Sequence, residues 1–402
     1  MIPIARPMLG RAEAQAAEAT IASGWLAQGR QVAAFEHEFA AYVGATHACA
    51  VSNCTAALHL ALLAVGVGAG DEVITVSHSF IATANSILYC NATPVFVDVD
   101  PVTYNIDPVR IAAAITGRTK AILCVHQMGM PCDLRAIVAI ARANRLPVIE
   151  DAACAIGSQI QTDGGQWERI GRPHGDIACF SFHPRKIITT GEGGMLTTAN
   201  REWDQKFRLW RQHGMSISDV VRHSANDVII EDYPLVGFNY RMTDMQAAIG
   251  RRQLERLDDI VPRRRRLAER YAQRLEAMPE VETPLESPWA RSNWQSYCIR
   301  LSGGASMQYA VMQAMLEQGV ATRRGIMCAH LEPAYNTRPP RFPLPHSTQA
   351  RDECVLLPLY PDLTVDEQDR VLDALELALH RVHARSLPSA VQILSAADSR
   401  PG

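Results

Sequence analysis

Seven short apolar runs, at residues 48–52, 73–76, 95–99, 121–125, 147–149, 177–181 and 195–198, are spaced along the first half of the chain. Stretches with helical periodicity separate most of them, at about 80 onward, 108–115 and 134–144. Runs that are continuously apolar, rather than alternating, suit strands covered on both faces. Alternation with helices makes the sheet mostly parallel. In such a sheet ligands gather beyond the carboxyl ends of the strands. The polar residues that close these runs are therefore the ones to examine. They are Ser52-Asn53-Cys54-Thr55, His78-Ser79-Phe80, His126-Gln127, Glu150-Asp151 and Ser181-Phe182-His183.

Two of these ends stand out. The run VIEDAA closes on two acids, Glu150 and Asp151. An aspartate there either caps a helix or serves as a buried carboxylate that holds a cationic ring nitrogen. The stretch CFSFHPRKIITTGEGGML, 179–196, leaves an apolar strand and delivers Ser181, His183 and Lys186 before turning through Gly191-Glu192-Gly193-Gly194. A mid-chain lysine is ordinarily solvated. Between an apolar strand and a glycine turn, Lys186 is expected near buried groups. Desolvation favours the neutral amine, which is nucleophilic and able to form a Schiff base. The sequence SNCTAALHLAL reads as strand, polar turn, apolar helix, with Ser52 or Asn53 as cap. The free N–H groups of such a first turn suit a phosphate, although every capped helix shares the pattern.

The 402 residues, 48% hydrophobic, suffice for a large domain and a smaller one. The expected division is 1–256, a large domain with an N-terminal helical segment (11–23 and 32–43), then 257–384, a smaller α+β domain, then a disordered tail at 385–402. Helices are expected at 246–257, on to about 278, and at 307–318 and 365–379, with a strand at 297–301 and a proline-rich loop at 339–345. The formal charge of −3 gives no electrostatic case for nucleic acid or an anionic membrane. The basic run 263–266 reads as a solvated helix face. None of the ten cysteines forms a C-x-x-C pair, so neither a zinc ribbon nor a redox motif is expected, and no metal is. No apolar run reaches membrane-spanning length and the N-terminus lacks a signal-peptide core, so the expected location is cytoplasmic.

Seven ordered stretches then carry a resemblance: GWLAQGRQVAAFEHEFAAYVG, SNCTAALHLAL, GDEVITVSHSFIATAN, PVFVDVDPVTYNID, EDAACAIGS, FSFHPRKIITTGEGGML and GFNYRMTDMQAAIG. Together they resemble the DegT/DnrJ/EryC1/StrS family of pyridoxal-phosphate (PLP) enzymes, sugar aminotransferases of fold type I. The resemblance implies that Lys186 bonds covalently to PLP and then moves the proton between substrate and cofactor. It implies that Asp151 binds the pyridine nitrogen and Phe80 stacks on the ring. Thr55, the backbone at Cys54, and Ser181 would hold the phosphate. Asn239 would reach that phosphate from a second subunit, making the enzyme a homodimer with shared sites. His183, Arg241, Arg323 and His330 are tentative substrate contacts, and Arg241 could equally be a structural salt bridge.

The sequence departs from the family pattern at Cys154, where glutamine or histidine usually meets the cofactor's ring hydroxyl, and at Cys54, where glycine is common. The segment 322–330, TRRGIMCAH, replaces a more usual aromatic-proline stretch, and its arginines could favour a diphosphate or a carboxylate. The implied reaction is ping-pong transfer of an amino group from glutamate or glutamine to a nucleotide-linked keto-sugar. A keto-cyclitol acceptor and a non-catalytic regulator are the alternatives. A dehydratase of the same fold would carry histidine in place of Lys186.

Overall fold

The structure is a computed structural model that describes residues 1–336 and 339–386. A seven-stranded sheet runs in the order His47–Val51, Gly194–Thr198, Ile177–Ser181, Val148–Asp151, Thr119–Val125, Glu72–Val76, Thr93–Val97. Gly194–Thr198 is antiparallel to both its neighbours, and the remaining pairs are parallel. The apolar runs therefore form the mostly parallel sheet that their patterning predicts. Helices cover both faces and close two cores. Phe35, Phe39, Phe180 and Phe182 lie in one, and the helix Cys54–Ala64 fills the other. That helix is buried almost all round, which explains why its sequence shows no polar stripe.

The N-terminal segment is tied down by one carboxylate. Asp244 accepts hydrogen bonds from the N–H groups of Gly29, Gln31 and Val32. It thereby caps the helix Arg30–Val43 from the first turn of the helix Asp244–Glu255. Thr243 and Gln246 form a reciprocal capping box at that same turn.

A third core gathers around the sheet Val281–Glu282, Tyr297–Leu301, Cys354–Leu357, Arg323–Arg324 and the helices Gly304–Glu317 and Val365–Ser386. Ile2 joins this core from the start of the chain. The helix Leu257–Leu275 contributes to two cores. Leu257, Ile260 and Val261 pack into the first, and Ala268, Tyr271 and Leu275 into the third. Among the elements that escaped the sequence reading are the strand Cys354–Leu357, the helix Arg201–Trp210, and a small sheet of Ala290–Arg291, Gln159–Gln161 and Trp167–Arg169. The proline-rich loop expected at 339–345 runs to 344, and the helix Pro345–Glu353 follows at once, because proline suits a helix's first turn. The helix expected at 365–379 runs on to Ser386. Beyond that helix, the tail expected at 385–402 lies outside the described residues.

The C-terminal half docks on the carboxyl ends of the parallel strands. Ser77, just past Glu72–Val76, accepts from the N–H of Ala329 and bonds His330. Asp98, just past Thr93–Val97, accepts from Ser347 Oγ and from the N–H groups of His346 and Ser347.

Candidate active site

Asp151 ends a central strand and is 5% exposed. Its Oδ2 accepts from Thr83 Oγ1 at 2.8 Å, and its Oδ1 from the N–H of Ala153 at 3.2 Å. The Thr83 hydroxyl in turn meets Ser79 Oγ at 2.8 Å. Among the described residues no cation is bonded to Asp151. Burial pushes its carboxyl up, and the bonds from Thr83 and Ala153 only partly oppose this. Its neighbour Glu150 has a different role. Successive strand residues face opposite sides, and Glu150 accepts from His126 Nε2, from the N–H of His174 and from the N–H of Gly175. The acid pair thus splits into a structural glutamate and an aspartate with charge to spare. Asp151 caps no helix.

Lys186 sits in the loop between Ile177–Ser181 and Gly194–Thr198. The loop is pinned at its base by Phe182 N–H to Gly193 O at 2.9 Å and Thr190 N–H to Phe182 O at 3.0 Å. His183 closes a turn inside it. Its Nδ1 accepts from the N–H of Arg185 and its carbonyl from the N–H of Lys186. Burial holds the His183 imidazole below its ordinary value, in keeping with this acceptor role. The Lys186 Nζ lies 3.1 Å from Cys154 Sγ. One expectation is corrected here. Burial pulls the Lys186 ammonium down, but the contact with Cys154 and the Asp151 charge outweigh it, and its pKa stands above the ordinary value.

The third part of the site is a helix start. Val51, Gly194 and Ser181 stand side by side across three strands. This brings Ser181 to the turn that begins the helix Cys54–Ala64. A Cβ on Gly194 would lie 2.5 Å from the backbone of Asn53, so only glycine lets the strand pass so close. Asn53 caps the helix through Ala56 N–H at 2.8 Å. The N–H groups of Cys54 and Thr55 have no acceptor among the described residues. The Cys54 thiol is buried and pushed well up, so it behaves as a small apolar residue.

Phe80 lies in the loop before the helix Ala82–Tyr89 and is 67% exposed, although it follows a buried strand end. The loop holding Asn239 runs between the backbone of 210–213 and Ser52. Phe238 and Tyr240 stack on each other, and both rings contact His59. Asn239, between them, is exposed, and its side chain has no partner among the described residues. Arg241 pairs with Asp219 at 3.0 Å, which is its structural alternative. His330 is held by Ser77 at 2.6 Å. Arg323 is exposed at the edge of the small sheet.

The site includes residues that carried no sequence signal. Thr83 stands three residues past Phe80 in the same motif and could have been found by helical spacing. Asn293 and Gln295 could not. Asn293 donates to the Cys154 carbonyl at 2.8 Å and Gln295 to the Arg185 carbonyl at 2.9 Å, from more than a hundred residues away.

A family match spans residues 7–376, the DegT/DnrJ/EryC1/StrS aminotransferase family. This chain belongs to that family. It is 39% identical over 378 residues to the spore coat polysaccharide biosynthesis protein SpsC of Bacillus subtilis, covering 93% of this chain and 96% of that protein. Among solved structures it is similar to the aminotransferase TlmJ of Streptoalloteichus hindustanus, with a TM-score of 0.87 and 34% identity over 95% of this chain and all of the other. It is also similar to Spr1654 of Streptococcus pneumoniae in its PLP form, with a TM-score of 0.86 and 26% identity over 95% of this chain and 99% of that one. The protein is a PLP-dependent aminotransferase of fold type I. Its own residues fit the cofactor. The uncompensated Asp151 suits a ring N–H, the free N–H groups at Cys54 and Thr55 suit a phosphate, and the Lys186 amine stands between them.

Proposed function

We propose that this aminotransferase takes the amino group of glutamate, or glutamine, and passes it to a keto-sugar carried on a nucleotide. PLP supplies an aldehyde that accepts the amino group and a ring that absorbs the charge left when a carbon loses its proton. The observation that carries the reading is the placement of Lys186, in the loop that follows the strand Ile177–Ser181, within reach of the charge of Asp151, which ends the neighbouring strand. Asp151 would stand against the ring nitrogen and favour its protonated, cationic form, and the pairing would in turn favour the carboxylate. Lys186 Nζ would hold the cofactor covalently and, once released, would move the proton at the reacting carbon. Thr83 fixes the Asp151 carboxylate. The first turn of the helix Cys54–Ala64, Thr55 and Ser181 neutralise phosphate. Phe80 supplies an aromatic face at the mouth.

The sugar reading is supported by SpsC, whose name places it in polysaccharide biosynthesis. The exposed Asn239, held between two inward rings, supports a homodimer in which it reaches the neighbouring subunit's phosphate end. Mixing Asn239→Ala and Lys186→Ala subunits should restore one working site per dimer, and no recovery would count against shared sites. The acceptor is tested by treating the aminated form of the enzyme with nucleotide keto-sugars and keto-cyclitols. Return of the visible absorption with a nucleotide keto-sugar is expected. Return with a keto-cyclitol alone would reassign the acceptor.

A further inference from the structure

Arg185, next to Lys186, and Arg323, whose charge bears on it, have no carboxylate partner among the described residues. Arg185 Nε is buried and has no hydrogen-bond partner among the described residues. Its backbone is clamped, since its carbonyl accepts from Gln295 Nε2 and its N–H bonds His183 Nδ1. Arg185 and Leu356 line the same small cavity, and Leu356 is the cross-strand neighbour of Arg323. Through Leu356, Arg323 stands near enough to Arg185 for its charge to bear on that guanidinium. Burial and the nearby Arg323 charge both hold the Arg185 pKa below its ordinary value, and the Cys154 sulfur opposes them. No salt bridge involves either side chain among the described residues, whereas Arg324, next in the strand, reaches Glu332 at 3.6 Å.

Two like charges brought together without an acid destabilise the empty site, and an anion placed between them relieves the repulsion. Distance decides which anion. Arg185 feels the Cys154 sulfur, and that sulfur is 3.1 Å from the Lys186 amine. A diphosphate is separated from a reacting sugar carbon by several ring atoms. The carboxylate of an amino acid is only a few bonds from its amino group.

We propose that Arg185 and Arg323 together hold a carboxylate of the amino-acid donor, so that the pair selects an acidic amino compound for the first half of the reaction. This rests on the transamination reading above. The pair brings together one residue of the lysine loop and one of the small sheet. A bound donor therefore bridges the two cores.

The test uses PLP-loaded protein without any sugar, so that only the donor half of the reaction is seen. Glutarate, an unreactive dicarboxylate, is titrated against the visible absorption, and L-glutamate is then used to bleach it. Arg323→Gln and Arg185→Gln should each weaken glutarate binding about tenfold or more and raise the half-saturating glutamate concentration similarly. Arg324→Gln should behave as the parent. Arg323 lies at the surface, so Arg323→Gln carries the test if Arg185→Gln fails to load cofactor. An Arg323→Gln protein with unchanged glutarate and glutamate responses would overturn the proposal. So would one slowed only when a sugar is added. A parent protein whose glutarate binding depends on Arg323, yet which no amino donor bleaches, would leave the anion site standing and sink the transamination reading instead.

Discussion

The Lys186 amine lies 3.1 Å from the Cys154 thiol, so the residue proposed to bond the cofactor is in contact with a sulfur. Burial alone would lower the Lys186 pKa, and Cys154 is the largest influence that raises it. Only the neutral amine attacks an aldehyde. Cys154→Ala should therefore lower the Lys186 pKa and move the pH dependence of PLP uptake by cofactor-free protein to lower pH. Uptake at neutral pH should become faster. Stopped-flow absorbance across pH 6–10 reads this, and an unmoved profile would mean that Cys154 does not tune the amine.

Among the described residues, Thr83 is the one side chain bonded to Asp151. Without it the carboxyl would be pushed further up by burial and held less firmly. Thr83→Val should weaken PLP binding by roughly tenfold, from the loss of one hydrogen bond to a charged group. Thr83→Ser should restore most of it. Equilibrium dialysis with PLP measures both, and equal affinities in Val and Ser variants would contradict the role given to the hydroxyl.

Glu72 tests the fold apart from the site. Arg341 above all, with Arg118, holds its carboxyl down to about 2 from an ordinary 4.5. A lowered folded-state pKa stabilises above the unfolded value and is lost as pH falls through the folded one. Glu72→Gln should therefore cost about 1–3 kcal/mol at pH 7. The gap to the parent should close as pH falls from about 4.5 towards 2. Urea unfolding at pH 7 and at successively lower pH measures it, and a gap independent of pH would refute the pairing.

Much of the fold was legible because the parallel strands are buried on both faces, which forces continuous apolar runs. Ile177–Ser181 is found at its predicted bounds, and the other large-sheet strands within two residues. The small sheet was harder. Arg323–Arg324 is two exposed polar residues paired at an edge, and nothing in their pattern marks a strand. In the site, Asp151, Ser181 and the helix start at Cys54 lie at or just past strand ends, and Lys186 lies in the loop that follows one, where topology alone directs attention. The partners that hold the Cys154 and Arg185 backbones were not legible, because Asn293 and Gln295 reach them from more than a hundred residues away in sequence. The direction of the Lys186 shift was not legible from burial alone, since the Cys154 contact is visible only in three dimensions.

The most direct measurement follows the visible absorption of PLP-loaded protein on adding L-glutamate, with 2-oxoglutarate assayed in the same sample. Loss of the band with about one equivalent of 2-oxoglutarate per site, absent in Lys186→Ala, is the expected result. A band that glutamate leaves unchanged, or a Lys186→Ala protein that responds as the parent does, would contradict the assignment of Lys186 and the donor.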